Sequence, residues 1–62
     1  MKVTFYHVAM NSTGQPYRAK LMSIELPAGT SEEAGLAIAA QQFQDTMKVA
    51  HWQDVAQNYE IT

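Results

Sequence analysis

The sequence predicts an α+β fold, a two-layer sandwich in the order β-β-α-β with a short extra helical turn before the last strand. Three observations lead there. Residues 2–10 and 17–26 are strand-like runs on either side of a cluster of turn formers. A helix-capping signature at Thr30-Ser31-Glu32-Glu33 opens an amphipathic segment that reaches Met47. The last five residues, Asn58 to Thr62, alternate in the manner of a strand.

Residues 2–10, Lys-Val-Thr-Phe-Tyr-His-Val-Ala-Met, are rich in β-branched and aromatic types and contain neither Gly nor Pro. Asn11-Ser12-Thr13-Gly14-Gln15-Pro16 then breaks the pattern, because Gly accepts φ > 0 and Pro fixes φ. Residues 2–26 therefore read as a β-hairpin. Within 17–26 the parity is divided: Tyr17, Ala19 and Leu21 share one face, whereas Met22, Ile24 and Leu26 share the other. That conflict predicts strong twist or a β-bulge near Leu21.

Leu26-Pro27-Ala28-Gly29 ends the strand. The capping box assigns Thr30 as the N-cap, accepting from the Glu33 backbone while the Glu33 side chain reaches back, and the helix runs over 31–47. At 100° per residue Leu36, Ala39, Ala40, Phe43 and Met47 make one stripe for the core. Ala34, Ala37 and Ile38 on the reverse side make the first half apolar nearly all round. Ala50, Trp52, Val55 and Ala56 suit a short helical turn before the closing strand at 58–62.

The chain reads as one small domain of 62 residues, and its size leaves little margin. At 6.9 kDa, surface scaling gives roughly 4,000 Å² folded against roughly 10,000 Å² unfolded. With about 60% of the difference apolar, burial contributes about 90 kcal/mol, and ordering the chain costs about the same. Chains of this length usually lean on disulfides, a metal or a partner. The sequence has no cysteine, so oligomerisation is the expected help.

The formal charge is −2, but the charges are sorted. Lys2, Arg18 and Lys20 precede every acid, and from Glu25 onward six acids face the single cation Lys48. No run of about 18 apolar residues is present to span a membrane, and Lys2 leads into an alternating segment rather than an apolar leader core, so a cytoplasmic chain is expected.

Little in the chain carries chemistry. His7 and His51 are isolated in sequence and lack metal-ligand spacing, so no metal and no cofactor is expected. A small metal protein or enzyme around these two histidines is the weakest of the readings. Ser12, Ser23 and Ser31 each have a structural role in a turn, a strand or a cap, and Glu32-Glu33 suits a helix N-terminus better than a catalytic pair. Gly14, Gly29 and Gly35 form no phosphate loop. The chain is therefore read as non-enzymatic.

Two binding readings remain. Lys2, Phe5, Tyr6, His7, Tyr17, Arg18 and Lys20 interleave aromatics with cations on the hairpin, a pattern that suits weak binding of single-stranded nucleic acid. An acidic domain with three such cations would release few counterions, which ranks that reading second. The favoured reading follows from apolar surface. If Val3, Phe5, His7 and Ala9 face the helix with Met22, Ile24 and Leu26, then Tyr6, Val8, Met10, Tyr17, Ala19 and Leu21 line the opposite sheet face, which one helix cannot cover. Those six are the expected contact residues for a protein partner, most simply a second copy in a homodimer. In size, element order and its Trp-x-x-Val-Ala-x-x-x-Tyr stretch, the chain resembles small accessory proteins of bacteria and their phages, and no motif narrows that resemblance to a family.

Overall fold

The computed structural model describes residues 1–62 and has the expected α+β arrangement. Strands β1 (Lys2–Met10) and β2 (Pro16–Glu25) form an antiparallel hairpin, helix α1 (Glu32–Met47) packs on one face, and a 3-10 turn at Trp52–Asp54 leads into β3 (Asn58–Ile61). β3 pairs antiparallel with β1, so the sheet order is β2-β1-β3. The longest strands therefore lie side by side, and β2 is left as a free edge along its whole length.

The hairpin turn follows from Asn11. Its side-chain carbonyl accepts from the backbone N–H groups of Thr13 and Gln15 at 3.0 and 2.9 Å and from the Thr13 hydroxyl at 2.7 Å. Gly14 supplies the positive φ of 81° that closes the loop.

The helix begins one residue later than the capping box implies. Ser31, not Thr30, is the N-cap, and its hydroxyl accepts from the Ala34 N–H at 3.2 Å. Thr30 is already engaged, since its N–H and hydroxyl both donate to the Pro27 carbonyl, at 3.3 and 2.7 Å, and close a turn through Gly29 at φ 90°. Competition for the Thr30 hydroxyl by that turn moves the cap. At the other end Lys48 adopts the left-handed conformation, φ 58° and ψ 47°, and donates to the Gln44 carbonyl.

Burial is concentrated at one end of the hairpin. Val3, Phe5, Ile24, Leu26, Ala39, Phe43 and Ala56 form the core, with Leu36, Ala40 and Met47 of the expected stripe half-buried around it. Phe5 joins the two layers: its ring centroid lies 4.6 Å from that of Phe43 and 5.5 Å from that of Trp52, which meets Tyr59 edge-on at 5.7 Å. Gly35 is buried as well, where a Cβ would overlap the Met1 sulfur and approach Leu26 Cδ1 to 3.0 Å. From Tyr6 to Ser23 no residue of the hairpin is fully buried. The distal half of the hairpin therefore extends beyond the core, and the molecule is elongated, 42 × 24 × 14 Å.

Candidate interaction surface

The bulge expected near Leu21 is present. Phe5 pairs with Met22 and Tyr6 with Lys20, which leaves Leu21 as the extra residue of β2. Its consequence overturns the expected contact patch. Residues directly opposite in an antiparallel pair share a face, and beyond the bulge His7 pairs with Ala19 and Ala9 with Tyr17. Tyr17 and Ala19 thus lie on the helix side with Val3 and Phe5, and Leu21 packs against the core. Tyr6, Val8 and Met10 lie on the opposite face, beside Lys20, Arg18 and Pro16. The six residues do not form one surface. The inserted residue shifts everything beyond it by one position, which exchanges faces in a structure of period two.

The solvent face is accordingly more polar than expected. Thr4 and Ser23 share a hydroxyl hydrogen bond at 2.9 Å. Arg18 arches over Tyr6, its guanidinium carbon 4.8 Å from the ring centroid, and places Nη2 3.4 Å from Glu60 Oε2 on β3. Both ends of that ion pair are about half exposed, so it is worth under ~1 kcal/mol, and the cation-π contact adds about 0.5–1 kcal/mol. Their combined effect is to hold the Arg18 side chain across three strands. The large apolar side chains that the hairpin leaves exposed are at its distal end, Val8 (46%) and Met10 (65%) on this face and Tyr17 (50%) on the other; Ile38, Val55 and Tyr59 are exposed elsewhere in the fold.

The backbone edges are equally informative. Met1 and Leu26 donate to each other's carbonyls, as do Lys2 and Thr62. In an antiparallel ladder these groups alternate along the strand. Odd residues of β1 therefore turn toward β2 and even residues toward β3. β3 pairs with β1 only as far as Tyr6. Beyond it the Gln57 N–H donates to the Tyr6 carbonyl at 2.9 Å and the Gln57 side-chain carbonyl accepts from the Val8 N–H, so one glutamine extends the ladder past the end of β3. On β2 the residues that turn both backbone groups away from β1 are Arg18, Lys20, Ser23 and Glu25, and Leu21 at the bulge turns its carbonyl alone outward.

The other candidate residues are dispersed. Phe5 is fully buried and cannot stack on a base, Arg18 is engaged by Glu60, and Tyr17 lies on the opposite face from Tyr6. His7 sits half-buried on the sheet, and His51 is exposed as the residue preceding the 3-10 turn. No group of three His, Cys, Asp or Glu residues is placed to hold a metal ion, and no cavity opens in the fold. No helix is long and apolar enough to cross a membrane. Gln57 and the Thr4–Ser23 pair carry no sequence signal. Pro16 does, since a proline opening a strand marks an edge. No protein-family model, curated protein or solved structure matches the chain.

Proposed function

We propose that this protein is a non-enzymatic interaction module that acts as a homodimer, with the β1–β2 hairpin as its contact element. The observation that carries the reading is the overhanging hairpin: half of it extends beyond the core, and its outer strand β2 is an unpaired edge. A small chain with little stability to spare gains by covering such surface. A standard interface of about 800 Å² per partner would cover about a fifth of the 4180 Å² accessible surface.

Sedimentation over a range of concentrations tests the reading. A dimer is expected, with a melting temperature that rises with protein concentration, because association stabilises the folded chain by mass action. A monomer whose melting temperature is independent of concentration overturns it.

A further inference from the structure

We infer that two copies join through the free edge of β2, antiparallel, with a two-fold axis between Leu21 and Met22, giving a continuous six-stranded sheet. This rests on the homodimer reading above and specifies its geometry. The argument begins with the spacing of the outward backbone groups. The residues that turn both groups outward are Arg18, Lys20, Ser23 and Glu25, because the bulge at Leu21 stretches the middle step of an otherwise two-residue repeat; Leu21 itself turns only its carbonyl outward, and that group stays outside the ladder. The steps of two, three and two residues read the same in both directions. An antiparallel copy of the same strand therefore matches them in one register only, with Arg18 opposite the partner's Glu25 and Lys20 opposite the partner's Ser23. Registers shifted by two or three residues set a three-residue step against a two-residue step and break the ladder, and a shift of five matches only two of the four residues.

Side-chain chemistry selects the same register. Arg18, Lys20, Ser23 and Glu25 all project from the solvent face, since they oppose Val8, Tyr6, Thr4 and Lys2 on β1. The pairing sets each Glu25, a carboxylate that has no ion-pair partner within its own chain, diagonally beside the partner's Lys20, an equally unpaired cation on the same face, and keeps like charges apart. On the helix face it brings half-buried Leu21 and Met22 against the partner's Met22 and Leu21. Pro16 and Pro27 stand opposite one another at both ends, and neither has an N–H to extend the ladder. A bulge and edge cations ordinarily discourage strand addition. Here they exclude most strands yet complement a second copy of this one.

Two measurements on the full chain test the inference. Amide hydrogen exchange, read residue by residue, should slow at least tenfold for Arg18, Lys20, Ser23 and Glu25 between dilute and concentrated protein. Lys20→Pro removes an N–H that the monomer's ladder does not use and should weaken the dimer at least tenfold, while Val8→Glu, on the solvent face of β1, should leave it intact. A dimer that survives Lys20→Pro without concentration-dependent protection of those amides overturns the edge pairing but leaves self-association standing. Loss of the dimer in Val8→Glu alone moves the contact to the distal solvent face and also overturns the edge pairing. A monomer at every concentration overturns both readings. Should Lys20→Pro fail to fold, the exchange measurement on the unaltered chain decides alone.

Discussion

Phe43→Ala is the most direct probe of how this fold holds together. Phe43 is fully buried, on the helix face that meets the sheet, and its ring lies 4.6 Å from Phe5, the side chain on which the aromatic cluster is built. Truncating a buried Phe costs about 3–5 kcal/mol through lost transfer energy and a residual cavity. Total stability at about 0.05–0.15 kcal/mol per residue amounts to only about 3–9 kcal/mol for this chain. The variant should therefore be unfolded or close to it. Phe43→Leu keeps most of the volume and loses the ring contact, so it should cost about 1–1.5 kcal/mol. Urea denaturation followed by Trp52 fluorescence reads both, because Trp52 packs on Phe5 at 5.5 Å. With a urea slope near 1 kcal/mol/M, Phe43→Leu should lower the midpoint by about 1 M and Phe43→Ala by about 3 M or more. Protein concentration must be held constant, since the proposed association would shift the apparent stability. A Phe43→Ala midpoint equal to the parent's would refute the helix-to-sheet packing and the core built on it.

The helix termini give two further expectations. Ser31→Ala should destabilise by about 0.5–2 kcal/mol, because it removes the acceptor for the Ala34 N–H, whereas Thr30→Ala loses one exposed turn bond and should cost less; thermal melts showing the reverse order would return the cap to Thr30. Lys48→Gly should be more stable than Lys48→Ala by about 1 kcal/mol, since both lose the charge but only Ala retains the Cβ that a left-handed residue disfavours; equal melting temperatures for the two would exclude strain at this position.

How much of this was legible in the sequence depends on the range over which each signal acts. Local signals translated well. The turn from Asn11 to Pro16, the helix with Ala39 and Phe43 inward, and the closing strand all depend on residues a few positions apart, where side-chain type and backbone preference act together. The bulge at Leu21 was also legible, because the parity conflict between Tyr17-Ala19-Leu21 and Met22-Ile24-Leu26 admits an inserted residue. Its further implication was present in the same residues. If one residue is inserted, parity beyond it reverses, so Tyr17 and Ala19 must return to the face of Met22 and Ile24 and cannot join Tyr6 and Val8. A bulge and a single six-residue apolar face were therefore incompatible readings of one stretch. The capping site lay at the limit of local inference, because Thr30 satisfies both the cap pattern and the turn from Pro27, and only the folded geometry decides which takes the hydroxyl. The solvent face lay outside it: Arg18 reaching over Tyr6 to Glu60, and Gln57 serving the Val8 N–H, join residues whose separation along the chain encodes nothing. Such contacts depend on β3 lying beside β1 rather than β2, and that placement also leaves β2 as the long free edge. Strand order thus determines both what the chain covers for itself and which edge it leaves open for the proposed dimer.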